Sequence, residues 1–223
     1  MKPRALTIAL YTCLLLAAAA ASASAQTFDL SSGGQPTITG ALGGSVTGSN
    51  SLTQDLAVTV NFGEVSPANT NNLVKVVVPV AIRSTDPYQV TVSVVGTFNS
   101  NTQAVQRSDI GFGVLNMRQM GNKSQDCNNS QHLFRSPFNN DPATTIALDA
   151  SGRVAYTSSL QTVGTSAVIL SGPKLTKGSI TKHENDNGYI FDAVFTIKPQ
   201  FFASGTFSAT FIFTISAGPN VPC

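Results

Sequence analysis

The sequence predicts an all-β protein, a two-sheet antiparallel β-sandwich of immunoglobulin-like or jelly-roll topology. Three observations predict it. Apolar residues alternate with polar or small ones, which is the pattern of strands with one buried face. The alternating runs are short, about nine in number, and clusters of Gly, Asn, Pro and Ser separate them. No window of about 11 residues shows the spacing of an amphipathic helix.

Residues 1–25 have the pattern of an export signal. Lys2 and Arg4 precede an almost wholly apolar run over residues 5–20, and Ala23-Ser24-Ala25 is a small-x-small cleavage site before Gln26. An N-terminal membrane helix is the alternative. We expect a cleaved, exported protein in the periplasm, at the cell surface or outside the cell.

The mature chain, residues 26–223, has the length of a single domain. Hydrophobic residues make up 42% of the sequence, including 13 Phe, so the chain can bury a core. With Lys2 and Arg4 removed, the basic residues equal the 11 acidic ones, and the mature net charge is zero. A neutral chain without basic blocks is not expected to bind nucleic acid, and after signal removal no second apolar stretch is long enough to insert into a membrane.

The mature chain begins with a Gly/Ser-rich segment, residues 26–51, in which apolar residues and glycines still alternate with small or polar ones. The alternation predicts one strand from Ile38 to Val46. Its candidate partner-strand face consists of Ile38, Gly40, Leu42, Gly44 and Val46. This strand is either the first strand of its own sandwich or an added strand for a neighbouring sheet.

The later strands follow in order along the chain. They are predicted over residues 56–62, 74–82, 90–94, 110–117, 144–148, 153–157, 167–170, 189–197 and 207–215. Pro79 cannot donate to a ladder, so the second of them is predicted to lie at an edge or to be bulged. In the last strand, Phe211 is predicted to face the core and Ile212 to face outward. The polar segment 116–142 is predicted to form a long surface loop.

Two cysteines remain in the mature chain, because Cys13 lies in the signal. Cys127 and Cys223 allow one intramolecular pairing, and an exported protein meets oxidising conditions. We therefore predict a Cys127–Cys223 disulfide. An intermolecular bridge and free thiols are the alternatives.

Enzyme signatures are absent: the sequence contains no Gly-x-Ser-x-Gly, His-Glu-x-x-His or phosphate-binding glycine motif. His183 is predicted to lie in a hairpin turn ending in Asn-Gly, and Glu184 and Asp186 beside it lack the spacing of a calcium loop. His132 follows Cys127 by five residues but has no further ligand or base nearby. We expect no catalytic residues, no metal site and no cofactor.

An exported all-β chain with an alternating, glycine-containing N-terminal segment and an alternating final strand, Gly205 to Ile215, resembles the fimbrial subunits and related surface proteins assembled outside bacterial cells. In that family, an N-terminal extension completes the sandwich of the next subunit. The resemblance implies an exported, non-enzymatic structural or interaction protein. Its partners would be copies of itself or other surface proteins, bound through strand addition.

A carbohydrate- or ligand-binding module is the alternative function, because β-sandwiches often host one. Sugar sites favour aromatic platforms, and the sequence has no Trp. Tyr189 falls in the buried register of its strand. Tyr88 and Tyr156 are left as candidate exposed rings.

Overall fold

The computed structural model describes residues 28–41, 43–48, 54–66, 68, 72–96, 104–120, 131–150, 152–175, 188–200 and 205–221. The predicted export signal, Cys127, Cys223 and the predicted turn around His183 lie outside these residues and stay predictions. Within the described ranges, two main antiparallel sheets pack face to face, which confirms the all-β sandwich.

The nine strands predicted after residue 50 are all present, and four further short strands are described. The strands are β1 (Phe28–Ser32), β2 (Thr37–Thr39), β3 (Ser45–Gly48), β4 (Asp55–Val65), β5 (Val74–Ser84), β6 (Tyr88–Val95), β7 (Ile110–Gln119), β8 (Leu133–Phe134), β9 (Ile146–Leu148), β10 (Val154–Tyr156), β11 (Ser166–Gly172), β12 (Tyr189–Ile197) and β13 (Gly205–Ala217). A 3₁₀ turn spans Arg107–Asp109, and the one-turn helix α1 spans Leu160–Val163.

One sheet has five strands and the other has six. In the five-stranded sheet the order is β1-β5-β12-β7, and β2 also pairs with β5. In the six-stranded sheet the order is β3-β4-β13-β6-β11-β8, and β9 and β10 form a separate hairpin. The last two strands of the chain, β12 and β13, therefore lie in the interior of the two sheets.

The core lies between the inner faces of the two sheets, and period-two alternation supplies it. In β4, β5, β12 and β13 every second residue is almost fully buried. Phe211 is 0% exposed, as predicted, and Ile212 is half-buried on the opposite face. The largest fully buried side chains are Tyr88, Tyr189, Phe62, Phe112, Phe191, Phe195, Phe211 and Phe213.

The outer faces of the two sheets differ. On the six-stranded sheet, hydroxyl side chains face solvent, and Thr59 and Thr210 hydrogen-bond across β4 and β13 at 2.9 Å. On the five-stranded sheet, the chain after β8 covers β7, and Gly113 is packed so closely that a Cβ there would collide with the carbonyl oxygen of Asn140. This cover explains why Val194 and Thr196, on the outer side of β12, are also buried.

Pro79 lies in an interior strand, so the predicted edge position is wrong. β5 pairs with β12 on one side and with β1 and β2 on the other. The carbonyl of Pro79 accepts from the N–H of Gly33, just beyond the end of β1. In an antiparallel ladder a residue's nitrogen and carbonyl face the same neighbour. The nitrogen of Pro79 therefore faces the gap between β1 and β2, and its lack of an N–H removes no hydrogen bond to β12.

The predicted surface loop over residues 116–142 is shorter and partly buried. β7 continues to Gln119, and residues 121–130 lie outside the described residues. Phe138 is 4% exposed, and its ring centroid lies 5.7 Å from that of Phe112. Its carbonyl also accepts from the N–H of Val114. Because the segment is mostly polar, its sequence did not indicate that Phe138 anchors it to the core.

Candidate functional site

The first described residues of the chain form one edge of the five-stranded sheet. Residues 28–39, called the arm below, contain β1 and β2, and both pair antiparallel with β5. β1 lies opposite residues 80–84 and β2 opposite residues 75–77. The arm thus covers nearly the whole length of an 11-residue, valine-rich strand.

The predicted continuous strand from Ile38 to Val46 is wrong. Ile38 belongs to β2 in the five-stranded sheet, and Val46 belongs to β3 in the six-stranded sheet. Between them the chain crosses from one sheet to the other. Gly40 and Gly43 have φ angles of +74° and +73°, a conformation that glycine adopts without strain. We call residues 40–44 the crossover; Leu42 within it lies outside the described residues.

The five residues of the predicted partner-strand face therefore do not share one strand face. Ile38 and Val46 are each half-buried and pack against the core of their own chain. A Cβ on Gly44 would lie 2.6 Å from Cδ1 of Ile38 and 2.7 Å from Cβ of Ala41. The glycines allow the crossover and the close packing around it. The alternating pattern had instead predicted that they lie on one face of a single strand.

A groove of about 500 Å³ lies between residues 32–36 of the arm and the six-stranded sheet. It is lined by Ser32 and residues 34–36 of the arm, residues 46–48 of β3, Leu56 and Val58 of β4, and Val78 of β5. None of these lining residues carries a charge. Away from the groove, β1 contacts β4 and β13 of the facing sheet, and Leu30 is fully buried there.

A buried ion pair ties the arm to β5. Nη1 of Arg83 lies 3.1 Å from Oδ2 of Asp29, and the two side chains are 4% and 1% exposed. The same Nη1 also donates to Oγ of Ser31 at 3.4 Å. Asp29 and Arg83 are opposite each other in the β1–β5 register. Because buried charges are costly unless paired, loss of either partner would leave a costly buried charge on the other.

The Asp29–Arg83 pair was not predicted from the sequence. The available signal was that Arg83 lies on the outward register of a mostly apolar strand, in a chain with only 11% charged residues. A second pair was missed in the same way. Asp109 is 0% exposed and accepts from Nε and Nη2 of Arg153 at 2.7 and 2.6 Å. This second pair lies far from the arm in sequence and joins β10 to the 3₁₀ turn.

The other described sheet edges are covered or very short. Along β7, the N–H groups of Phe112 and Val114 donate to the carbonyls of Ser158 and Phe138. At the far end of the six-stranded sheet, the end strand β8 has two residues and pairs with β11 at Leu170 and Ser171. Covered edges and very short edge strands hinder strand addition. The arm and β3, by contrast, pair with their neighbouring strands without a register shift.

The two tyrosines predicted as exposed rings are not exposed. Tyr88 is 0% exposed, and its hydroxyl lies 2.8 Å from Nδ1 of His132. Tyr156 is half-buried, its hydroxyl accepts from the N–H of Lys198 at 3.0 Å, and burial raises its pKa to about 12. Neither ring can provide the flat platform of a sugar site. Tyr189 is buried, as predicted.

His132 lies between the two sheets, in contact with aromatic rings. Its ring centroid is 4.3 Å from that of Tyr189 on β12 and 6.0 Å from that of Tyr88 on β6. Burial lowers its pKa to about 4 and raises the pKa of both tyrosines. The buried Nε2 atom of His132 has no hydrogen-bond partner. This histidine is packed as a core residue.

No three His, Cys, Asp or Glu side chains in the described ranges lie close enough together to hold a metal ion. Nor does any described helix have the length and apolar character required to cross a membrane. No family model, curated protein or solved structure matches this chain.

Proposed function

We propose that this protein is an exported, non-enzymatic structural protein of the cell surface or periplasm that assembles with copies of itself by exchanging the arm. The observation that supports the proposal most strongly is the position of the arm. It forms an edge of the sandwich, it is followed by a crossover with two positive-φ glycines, and a groove lies between its residues 32–36 and the facing sheet. A segment with these properties can leave its own sheet and occupy the same place in a neighbour.

The arm is held by few buried apolar side chains. Leu30 is its one fully buried apolar residue, and Phe28 and Ile38 are half-buried. In β2 the residues on either side of Ile38 are exposed. Elements with little buried apolar area open at a lower free energy than the core of the same protein. The arm can therefore detach while the rest of the sandwich remains folded.

When its own arm has detached, the edge of β5 favours binding of the arm of another copy. Without the arm, β5 would expose a long row of unpaired N–H and C=O groups next to a valine-rich inner face. The arm of another copy offers the same ladder and the same side chains, so exchange restores every contact that opening removes. Head-to-tail exchange would give filaments, and reciprocal exchange would give a two-fold dimer.

The export part of the proposal rests on the sequence of residues 1–25, with its basic start, apolar run and Ala-Ser-Ala site. The resemblance to fimbrial subunits supports the assembly part, because an N-terminal extension is the exchanged element in that family. Cell-surface assembly also suits an uncharged groove and a neutral mature chain.

Cysteine cross-linking of the mature protein tests arm exchange. Thr37 of β2 and Val77 of β5 are directly opposite and lie away from the core, so the double variant Thr37→Cys/Val77→Cys can form a disulfide across this pair. Exchange predicts that oxidising the assembled fraction gives a covalent ladder on a non-reducing gel. The control is Thr59→Cys/Thr210→Cys, which joins β4 to β13 within one chain and should give monomers.

Two results would contradict the proposal. One is a wild-type mature protein that remains monomeric by native mass spectrometry and electron microscopy at all concentrations. The other is assembled Thr37→Cys/Val77→Cys protein that cross-links only within single chains. Deleting residues 26–39 gives a further test, since the truncated protein should stop assembling and should bind a synthetic peptide of residues 26–39.

A further inference from the structure

The ion pair between the arm and β5 is buried, although main-chain hydrogen bonds already join these two segments. Asp29 and Arg83 are 1% and 4% exposed, and Nε of Arg83 is buried without a hydrogen-bond partner. The ladder between β1 and β5 provides affinity for any extended segment, but it does not select one sequence. A buried pair of opposite charges does select, because a wrong segment leaves one charge unpaired.

On the outer face of β5, Arg83 is the one buried cation with which a carboxylate on the arm can pair. Along that face, Val77, Pro79 and Ala81 are apolar. Lys75, at the far end, already pairs with Asp141 at 2.5 Å, and its side chain is 31% exposed. A slip of the arm by two residues would place Asp29 opposite Ala81, and a slip by one would turn it toward the core. The correct register is thus the one that brings Asp29 to Arg83.

We propose that the Asp29–Arg83 pair determines both register and partner in arm exchange, so that the acceptor's Arg83 recognises Asp29 of a second copy of this chain. The inference rests on the proposed function. It adds that assembly is selective for self, since an arm without a carboxylate at this position would leave Arg83 buried and unpaired. Ser31, which also contacts Arg83, lies on the same face of the arm and supports the same register.

Charge reversal of each partner tests the inference in the full mature chain. Asp29→Arg places two cations at the pair, and Arg83→Asp places two carboxylates there. Each variant alone should assemble at least about tenfold less than wild type. In a 1:1 mixture refolded together, every pair exchanged between unlike variants joins opposite charges, whereas pairs within one chain or between like variants remain repulsive. The mixture should therefore assemble with the two variants in strict alternation.

Native mass spectrometry measures this alternation, because isotope labelling of one variant separates the masses of mixed and unmixed species. The matched control is Asp141→Lys, which reverses a charge in the Lys75 pair on the same strand and leaves Asp29 and Arg83 unchanged. This control should assemble like wild type. The neutral double variant Asp29→Asn/Arg83→Met, which keeps the volume but removes the charges, should assemble with lower yield of the Thr37–Val77 cross-link because the register is no longer fixed.

The outcomes separate the two proposals. A monomeric wild type contradicts the proposed function itself. A wild type that assembles, with both reversed variants assembling equally well alone, contradicts only the inference. Reversed variants that fail alone and are not restored by mixing also contradict it, since the pair would then act within one chain. If a reversed variant fails to fold, the cross-link yield of the neutral double variant decides, and an unchanged yield overturns the inference.

Discussion

The ring of Phe211 on β13 lies against the ring of Phe195 on β12, with centroids 4.0 Å apart and planes inclined by 30°. Both side chains are 0% exposed. β12 lies between β5 and β7, and β13 lies between β4 and β6. The contact therefore joins the two sheets at the centre of the sandwich.

Replacing Phe211 by Ala should lower the free energy of unfolding by about 3–5 kcal/mol, because it removes a large buried ring and leaves a cavity. Ile212 on the same strand is only half-buried, so Ile212→Ala should cost clearly less. Denaturant unfolding of the two variants measures the difference. Equal losses would contradict the assignment of inner and outer faces in β13.

Acid should destabilise the protein through His132. Its pKa is about 4 in the folded state and about 6.5 in an unfolded chain, so between these values only the unfolded chain binds the proton. Stability is therefore complete above about pH 6.5 and falls by roughly 3 kcal/mol as the pH decreases toward 4. Tyr88 and Tyr189, which face the ring, stay neutral in this range because a tyrosine ionises only near pH 10, and burial raises the pKa of both further.

The measurement is urea unfolding at several pH values, for wild type and for His132→Gln. Carboxylates titrate in both proteins, so the difference between the two curves reports His132 alone. The glutamine can still hydrogen-bond Tyr88 but does not titrate. Identical pH dependence in the two proteins would show that His132 is not the group responsible.

Gly44→Leu should destabilise the monomer by about 1–3 kcal/mol, because the added side chain begins within 2.6 Å of Ile38 and overpacks the crossover. The control is Gly48→Leu in β3, where the nearest atom to an added Cβ is 3.7 Å away. Thermal melts compare the two variants. A Gly44→Leu monomer as stable as the control would mean that the arm does not pack in its own chain as described.

The disulfide between Cys127 and Cys223 remains a prediction from the sequence. Peptide mapping under non-reducing conditions should give a Cys127–Cys223 peptide from protein taken from its native compartment. In the chain-entropy model, a bridge over so long a loop stabilises by about 4–5 kcal/mol, so reduction should lower the melting temperature. Recovery of two alkylatable thiols would contradict the bridge.

Much of the sandwich could be predicted because alternation is a local property. The inner faces of β4, β12 and β13 follow directly from apolar residues at every second position. Neighbour relations are not local, and there the predictions were wrong. Pro79 indicated an edge, but its missing N–H lies at a junction that only the pairing with both β1 and β2 creates.

The arm was for the most part not predicted. The predicted strand from Ile38 to Val46 overlaps the arm only at Ile38 and Thr39, and no strand was predicted over β1. The sheet change at Gly40 could not be predicted, because an alternating pattern continues across it without a break. The Asp29–Arg83 pair was missed because the partners are distant in sequence, and only the β1–β5 register brings them together.

The order of strands along the chain determines when this protein can fold during its synthesis. The interior strands β12 and β13 follow all of their partner strands in the sequence, so until they are synthesised β5 and β7 lack the strand between them, and so do β4 and β6. Strands such as β1 and β5 can pair earlier, but neither main sheet can be completed before β12 and β13 emerge from the ribosome. Because many of the contacts are long-range, we expect closure of the two sheets to be the slow part of folding.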